Sequence, residues 1–483
     1  MIADESPSPN FLLICADQLF GGALPALGNK DDLETPNIDR IARAGTAFAR
    51  AYTPCPLCMP ARAAFWSGLW PHQTGVRANG DRSGGGTMPP LRIDPQVATL
   101  GKAFRDAGYE CRHFGKTHDA GSLEGFAIEP SEPVSVERDC PEWPVNADTF
   151  RDRHTTRQVC QWLLQRPEAR QLDGVADLNN PHNICGYVGE HEGPHANGPI
   201  PRELPKVWNN LEPPGGAPLP APIRHLAAVH KRQAQAEGWT VENWRHYRAA
   251  YYHYIERMDA ELGCILDALE KRGDAANTII IFFSDHGDGM GAHRLATKHT
   301  TFYEETTRVA LMACGPGVAG GGNVVSGPLV SLLDLFPTLC DYVGIAPPEG
   351  LWGQSLAPWL RGERGDASSP RDYVVSEWHS EWMMTTEPGR MLRTDRYKYT
   401  RYREGDGEEL YDLHNDPGET VNLADDPGCG EVLEAHRHYL HRHLAGTGDD
   451  FERLRPKIDQ RARERCLRKR SSGTGEEGGR GFQ

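Results

Sequence analysis

The sequence lacks the features that mark exported, membrane-spanning and repetitive proteins. Its first ten residues, MIADESPSPN, include no lysine or arginine, and the apolar run at 11–16 is too short for the core of a signal peptide or for a membrane span. No internal repeat with a period of about 20 to 50 residues is present, which argues against a solenoid or a propeller. We therefore expect a cytoplasmic protein with no membrane partner.

Positive charge and cysteine density are also low. The chain has 52 lysines and arginines against 67 aspartates and glutamates, a formal net charge of −15, which argues against nucleic acid or an anionic membrane as a partner. An anionic substrate would have to be attracted by a local cluster of cations. The 12 cysteines are scattered along the chain rather than arranged as a dense disulfide framework, and this spacing favours reduced thiols.

The composition that is present is that of a globular protein with many loops. A hydrophobic fraction of 38% and a charged fraction of 25% are ordinary, whereas 52 glycines and 37 prolines indicate extensive loops. A chain of 483 residues exceeds what one core usually organises. We predict a large domain over 1–365, a small C-terminal α+β domain over 366–455, and a charged, mobile tail over 456–483.

Polar side chains follow two buried strands of the predicted large domain. The apolar run at 11–16 is followed by Asp17, and the run at 278–283 is followed by Asp285. Helical stretches lie between these strands, so the pattern predicts a doubly wound α/β sheet. In such sheets the functional site lies beyond the carboxyl ends of the strands, where these side chains stand.

Other segments give weaker or more local indications. Residues 120–240 are rich in Pro, Asn, His and Gly with weak periodicity, and we expect long loops there. Helices are predicted at 37–44, 97–107, 251–271 and from 331 onward. In the small domain the pattern predicts strands at 373–378, 391–392 and 397–402, followed by a helix at 431–444.

The segment Cys58-Met59-Pro60-Ala61-Arg62 carries the strongest chemical indication. Pro60 suits the first turn of a helix, which would place Cys58 at a helix N-terminus, where backbone N–H groups favour an anion. Cys55 and Cys58 also form a C-x-x-C pair, so a redox or structural role is the alternative. No second C-x-x-C or suitable histidine pair completes a zinc site in the sequence.

Together with further motifs, Cys-x-Pro-x-Arg resembles the type I sulfatases, in which this cysteine is oxidised to formylglycine. The matching pieces fall in family order between about 10 and 425: ADQ at 16–18, GKTH at 115–118, NPHN at 180–183, SDHGD at 284–288, HRLATK at 293–298 and LYDLHNDPGETVNLA at 410–424. The resemblance implies the alkaline-phosphatase-like fold: a large α/β domain whose central mixed, mostly parallel sheet is flanked by helices, and a smaller C-terminal α+β domain.

The resemblance also assigns roles to particular residues. It implies one divalent metal ion, Ca²⁺ in the first place and Mn²⁺ or Mg²⁺ as alternatives, with five ligands: Asp17, Gln18, Asp285, His286 and the modified Cys58. Relatives often carry two adjacent aspartates where this chain has Asp17 and Gln18. The implied catalytic residues, besides Cys58, hold the formylglycine hydrate (Arg62, Lys116, His118), bind the sulfate (Lys298) or protonate the leaving alcohol (His182).

The function implied is hydrolysis of a sulfate ester to an alcohol and inorganic sulfate. A carbohydrate sulfate is the expected substrate, and an aryl or choline sulfate is the alternative within that class. A phosphonate monoester or phosphodiester hydrolase of the same superfamily is the rival enzyme, and a non-catalytic binding protein with unmodified Cys58 is the rival from another class. The resemblance further implies a formylglycine-generating maturation enzyme as a partner.

Overall fold

The computed structural model describes most of the chain between residues 8 and 453. Outside the description lie 1–7, 32, 80–91, 130–148, 167–170, 190–202, 213–218, 221, 225–226, 228–229, 299–300, 368–370, 380–387, 404–406 and 454–483. The tail predicted at 456–483 therefore falls outside the described residues. Within them, no helix combines the length and the hydrophobicity that crossing a bilayer requires.

Strands and helices alternate over most of the chain. The strands are β1 Asn10–Asp17, β2 Thr46–Phe48, β3 Ala51–Tyr52, β4 Glu110–Gly115, β5 Ala127–Ile128, β6 Leu172–Pro181, β7 Thr278–Ser284, β8 Arg308–Val309, β9 Leu311–Cys314, β10 Asn323–Val325, β11 Val330–Ser331, β12 Val374–Trp378, β13 Gly389–Arg393, β14 Tyr397–Tyr402 and β15 Glu408–Asp412. The helices are α1 Pro36–Ala44, α2 Cys58–Ser67, α3 Pro71–Thr74, α4 Leu100–Asp106, α5 Thr149–Gln165, α6 Ile184–Gly189, α7 Lys231–Gln235, α8 Val241–Arg272, α9 Glu304–Thr307, α10 Leu335–Val343, α11 Ala357–Leu360 and α12 Gly430–Thr447.

The central sheet has eight strands in the order β10-β2-β9-β7-β1-β6-β4-β5. Strand β1 is parallel to both β6 and β7, and β4 is parallel to β6, whereas β9 is antiparallel to its two neighbours. Strands β1 and β7 are buried along their whole length because helices cover both faces of the sheet. The predicted mixed, mostly parallel α/β sheet is confirmed.

Helix α8 covers one face of this sheet, and its observed bounds differ from the predicted ones. It begins after Thr240, whose side chain accepts from the N–H of Asn243 in a capping box, and it ends at Gly273 with φ 92°. The helix therefore starts well before the predicted 251–271, since the apolar periodicity alone missed the Thr240 cap. It packs against α1, α5 and β6.

The prediction of long loops over 120–240 is wrong in part. This range contains helix α5 and strand β6, and β6 is a central strand directly beside β1. The sequence of β6, LDGVADLNNP, carries polar residues on a strand that is buried throughout. Because buried polar residues interrupt the apolar run, the usual signal of a parallel strand was absent.

The C-terminal part forms a separate four-stranded antiparallel sheet in the order β12-β13-β14-β15. Strand β14 has the predicted bounds, β12 and β13 overlap their predicted ranges, and α12 follows as expected. Strand β15 was not predicted. The α+β character of this part agrees with the prediction, and the boundary near residue 365 stays a prediction.

Candidate active site

Two predicted site residues meet at the ends of β1 and β7. Ala16 pairs with Ser284 in the parallel register, so the next residues, Asp17 and Asp285, stand at the same level. The backbone N–H of Asp285 donates to the carbonyl oxygen of Ala16 at 3.2 Å. Both carboxylates are fully buried. The expected meeting of these two strand ends is therefore present in the structure.

Cys58 occupies the first position of helix α2. Leu57 before it is extended, Pro60 lies in the first turn, and the helix ends at Gly68, whose φ of 71° provides the left-handed cap. The Sγ atom of Cys58 lies 3.1 Å from Nε2 of His286 and 3.7 Å from Oδ1 of Asp17. The N-terminus of α2 thus points Cys58 at the ends of the two strands.

Two lysines and two further histidines face the Cys58 thiol. The Nζ atom of Lys298 lies 2.7 Å from Sγ and that of Lys116 lies 3.8 Å from it. His118 and His182 also interact with the thiol. Lys298 is buried, whereas Lys116, His118 and His182 are partly exposed, so these three residues form the open side of the site.

The electrostatics favour an anion at position 58. Burial alone raises the pKa of the Cys58 thiol, but Lys116, Lys298 and His286 lower it well below its usual range. Burial and the same two lysines lower the pKa of His182 to about 3, so its ring is neutral. A thiol site of this kind can equally stabilise an oxyanion or a bound sulfate oxygen.

Four ligand-type side chains form a compact cluster around Cys58. One ligand atom each from Asp17, Cys58, Asp285 and His286 lies within 4.8 Å of the other three, and all four residues are buried. Burial and the neighbouring charge of Asp17 raise the pKa of Asp285 to about 6, which shows that negative charge is crowded here. Carboxylate oxygens with one imidazole nitrogen fit a hard or borderline divalent cation, which would relieve this crowding.

Arg62 lies beneath this cluster and contacts three carboxylates. Its guanidinium bonds Asp17 at 3.1 Å, Asp285 at 3.0 Å and, at the shortest separation of the three, Asp177. All four side chains are fully buried. The structure thus places Arg62 among the carboxylates, and its predicted role in holding a formylglycine hydrate stays a prediction.

Asp177 is a site residue that sequence reasoning missed. It lies on β6, within the range 120–240 for which the sequence predicts loops. Its carbonyl oxygen also accepts from the backbone N–H of Lys116 at 3.2 Å. An isolated aspartate in a segment without apolar periodicity carries no signal of its own. Only its position on a central strand beside β1 brings it to Arg62.

Gln18 is held by a hydrogen-bond network beside the cluster. Its backbone N–H donates to the carboxylate of Asp285, and its side-chain amide donates to the carboxylate of Asp288 at 2.7 Å. The φ angle of Gln18 is 69°. Asp288 in turn accepts from the hydroxyl of Tyr247 at 2.6 Å. The Gln18 side chain also contacts Cys185, and its assignment as a metal ligand stays a prediction. Left-handed backbone outside glycine is uncommon and often accompanies functional sites.

A second group of ligand-type residues lies where the C-terminal sheet meets α3. His72, Glu377 and Asp449 approach one another, but Arg390 donates to both oxygens of Asp449, and Glu377 already accepts from His72 and His379. Because the carboxylate lone pairs are occupied by donors, this group is an ion-pair network between the two parts of the chain.

The C-x-x-C alternative for Cys58 finds no support in the geometry. Cys55 and Cys58 are both free and buried, and Cys55 lies outside the four-residue cluster. Burial raises the pKa of the Cys55 thiol well above its usual range, opposite to Cys58. The two thiols therefore stand in different environments, and only Cys58 faces the lysines.

Comparison with known families agrees with this geometry. Residues 9–345 match the family model described as Sulfatase, and residues 291–445 match the model described as N-sulphoglucosamine sulphohydrolase, C-terminal. The chain belongs to the sulfatase family. This sulfatase therefore carries its Cys58, Lys116 and Lys298 on the family's own fold, and the predicted class of sulfuric ester hydrolase is confirmed.

Individual relatives of this sulfatase include proteins of near-equal length. It is 44% identical over 464 residues to a Delta 4,5-hexuronate-2-O-sulfatase of Bacteroides thetaiotaomicron, covering 95% of this chain and 94% of that one. It is 30% identical to a choline-sulfatase of Rhizobium meliloti, covering 87% of this chain and 83% of that one. The solved structure of a 2-O GAG sulfatase superimposes with a TM-score of 0.87 at 44% identity, covering 95% and 96% of the two chains.

Proposed function

We propose that this sulfatase hydrolyses the 2-O-sulfate ester of a Δ4,5-hexuronate in a glycosaminoglycan fragment. The observation that carries the proposal is the 44% identity to a Delta 4,5-hexuronate-2-O-sulfatase across 95% of this chain. The choline-sulfatase is less similar, at 30% identity. The site supports the reaction class, since Lys116 and Lys298 can neutralise a sulfate oxygen beside Cys58.

The proposal includes conversion of Cys58 to formylglycine by a maturation enzyme. Cys58 has no exposed surface in the folded chain, so a modifying enzyme must reach it before the large domain closes. The hydrate of formylglycine carries two hydroxyl groups on one carbon. It can therefore attack through one hydroxyl and later eliminate through the other, which a serine or thiol cannot do.

The cluster of Asp17, Asp285 and His286, with Gln18 beside it, is proposed to hold one divalent cation. Calcium suits the carboxylate oxygens best, and the imidazole of His286 is compatible with Mn²⁺ or Mg²⁺. When bound, the cation lowers the pKa of the nearby diol and polarises an ester oxygen. The guanidinium of Arg62 keeps Asp17 and Asp285 in position through its hydrogen bonds.

The remaining roles follow from where the side chains lie. One hydroxyl at position 58 attacks sulfur and gives its proton to the neutral ring of His182. The bond from sulfur to the sugar oxygen breaks, and His182 passes that proton to the leaving alcohol. Lys116 and Lys298 hold the sulfate oxygens. His118 then removes the proton of the second hydroxyl, the bond from carbon to the sulfate oxygen breaks, and sulfate leaves an aldehyde that water rehydrates.

Protein co-expressed with a formylglycine-generating enzyme tests this proposal through sulfate release. Four substrates are compared: a disaccharide with a 2-O-sulfated Δ4,5-hexuronate, the same disaccharide sulfated only at O6 of its glucosamine, choline sulfate and phenyl phosphonate. We expect the first to be hydrolysed fastest. Faster cleavage of phenyl phosphonate would instead favour the phosphonate hydrolase, and faster cleavage of either other sulfate would overturn the 2-O assignment.

Peptide mass spectrometry on the same preparation tests the nucleophile. We expect the peptide that contains position 58 to carry formylglycine, and Cys58→Ala to be inactive on all four substrates. If protein co-expressed with the formylglycine-generating enzyme keeps an unmodified thiol at position 58 and hydrolyses none of the substrates, the non-catalytic binding protein is favoured.

A further inference from the structure

Strand β6 has a bulge immediately before His182. The consecutive residues Ala16 and Asp17 of β1 pair with positions 178 and 181 of β6. The two residues between these positions, Asn179 and Asn180, therefore have no counterpart on β1. Bulges of this kind are frequent beside active sites, where they change the direction of a side chain. Here the bulge sets the level at which His182 leaves the strand.

One buried carboxylate accepts both backbone N–H groups of this bulge. Asp152 lies in the first turn of α5 and is 2% exposed. Its Oδ1 accepts from the N–H of Asn179, and its Oδ2 accepts from the N–H of Asn180 at 3.0 Å. A buried N–H group that leaves a strand ladder needs another acceptor, and a carboxylate is a stronger one than a neutral oxygen. Asp152 thus holds the bulge in its observed conformation.

A short turn connects the bulge to His182. The N–H of His182 donates to the carbonyl oxygen of Asn179 at 3.0 Å, and the N–H of Cys185 donates to the carbonyl oxygen of His182 at 2.9 Å. The side-chain amide of Asn179 donates to Oδ1 of Asn183 at 2.7 Å. The backbone of His182 is therefore fixed on both sides, while its ring interacts with the Cys58 thiol.

From these contacts we propose that Asp152 is a positioning residue for His182. It holds the bulge that directs the imidazole towards position 58, where the ring can take a proton from the attacking hydroxyl and pass it to the leaving alcohol. The inference rests on the role of His182 under the proposed function. Without the carboxylate at least one N–H of the bulge loses its acceptor, and a displacement of the ring by about 1 Å can lower the rate about a hundredfold.

The dependence of the rate on the leaving group tests this inference. An alkoxide needs a proton as it leaves, whereas 4-nitrophenolate leaves without one. Each variant is assayed on 4-nitrophenyl sulfate and on whichever alkyl sulfate of the substrate comparison above the wild type hydrolyses fastest. We expect Asp152→Asn to lower kcat about 10- to 100-fold on the alkyl sulfate and less than about threefold on 4-nitrophenyl sulfate.

Asp259→Asn is the matched control. Asp259 is a buried carboxylate on α8 that also accepts from two consecutive backbone N–H groups, those of Asn37 and Ile38 at the start of α1, at 3.2 Å and 2.7 Å. Its replacement likewise weakens the acceptor of buried N–H groups. Any loss of rate in this variant comes from lower stability, so we expect it to affect the two substrates equally.

A double variant shows whether Asp152 acts through His182. We expect His182→Gln alone to give the same selective loss on the alkyl sulfate. Adding Asp152→Asn to it should lower kcat by less than about a further twofold, because the group that Asp152 positions is already absent. If circular dichroism shows that Asp152→Asn does not fold, Asp152→Ser, which keeps an uncharged acceptor, replaces it with the same expected ratios.

Three results would overturn the inference: unchanged kcat in Asp152→Asn, equal losses on the two substrates, or a full further loss in the His182→Gln background. A wild type that hydrolyses 4-nitrophenyl sulfate but no alkyl sulfate would also overturn it, since no leaving group would then depend on a proton from His182. The comparison does not require that the 2-O-sulfated disaccharide is the best substrate. Failure of the 2-O assignment is therefore distinguishable from failure of this inference.

Discussion

Arg62 and Asp177 form a fully buried ion pair beneath the ligand cluster, although 115 positions separate them in the chain. Asp177 is the one partner of Arg62 that lies outside the strand ends carrying Asp17 and Asp285. It therefore fixes the guanidinium from below, while the other two carboxylates remain next to Cys58 and His286.

Replacing this partner should disturb the site more than the fold. In Asp177→Asn, Arg62 keeps two carboxylates, so we expect the protein to fold and its kcat to fall about 10- to 100-fold, as for other residues that orient metal ligands. Steady-state sulfate release and calcium affinity measure the effect. Asp106→Asn, at an exposed carboxylate, is the control, and unchanged kcat in Asp177→Asn would contradict this role.

Removing the charge of Lys298 should weaken transition-state stabilisation. Its Nζ atom lies 2.7 Å from Sγ of Cys58, where the attacking group and the sulfate would meet. We expect Lys298→Met to lower kcat/KM by about a hundredfold or more. The exposed Lys271→Met should leave kcat/KM unchanged, and equal rates in the two variants would exclude Lys298 from the reaction.

Chelation should inactivate and destabilise the enzyme. The cation proposed for the cluster would neutralise its crowded carboxylates, so we expect EDTA to abolish turnover and calcium to restore it. At a free calcium concentration a hundredfold above Kd, binding adds about 2.7 kcal/mol to the free energy of unfolding. Calorimetric Tm values with and without calcium measure this. Asp285→Asn should lose most of the calcium response, whereas Asp267→Asn, on an exposed carboxylate, should retain it.

The network around Gln18 predicts a rescue by a second substitution. In Gln18→Asp, a carboxylate replaces the amide that donates to Asp288 at 2.7 Å, and two negative charges then face each other. We expect lower Tm and lower kcat. Adding Asp288→Asn restores a donor and keeps an oxygen for Tyr247, so the double variant should recover both quantities. A double variant whose Tm and kcat are no better than those of Gln18→Asp alone would contradict this account.

The docking of the C-terminal sheet should depend on the protonation of His72. Its Nδ1 faces Glu377 at 2.6 Å and its Nε2 faces the carbonyl of Thr447 at 3.3 Å, so both nitrogens face acceptors, an arrangement that favours the protonated ring. Burial lowers its pKa, but the hydrogen bond and charge of Glu377, with Asp449, raise it above its usual value.

This raised pKa fixes the sign of the pH dependence. The stabilisation is fully present below the unfolded value of about 6.5 and is lost as the pH rises through the folded pKa. We expect the Tm difference between the wild type and His72→Gln to shrink from pH 6 towards alkaline pH. The exposed His438→Gln serves as the control, and a difference that stays constant with pH would contradict a charged His72.

The sequence alone was sufficient for the parts of the site that lie within single elements. The apolar runs before Asp17 and Asp285, and the proline after Cys58, are local patterns, and local patterns determine where a strand ends and where a helix begins. The order of the motifs was also enough for the family and the fold class. The observed helix ends differ from the predicted ones where a capping residue such as Thr240 lies outside the segment with apolar periodicity.

Only the tertiary structure decided which distant groups meet. The position of β6 beside β1 brings Asp177 to Arg62, and the docking of the C-terminal sheet creates the His72 network. The pairing of strands and the packing of layers depend on the free energy of the whole chain, so no short pattern encodes them. Buried polar residues are the hardest to predict from sequence, because their hydrogen-bond partners come from elements far apart in the chain.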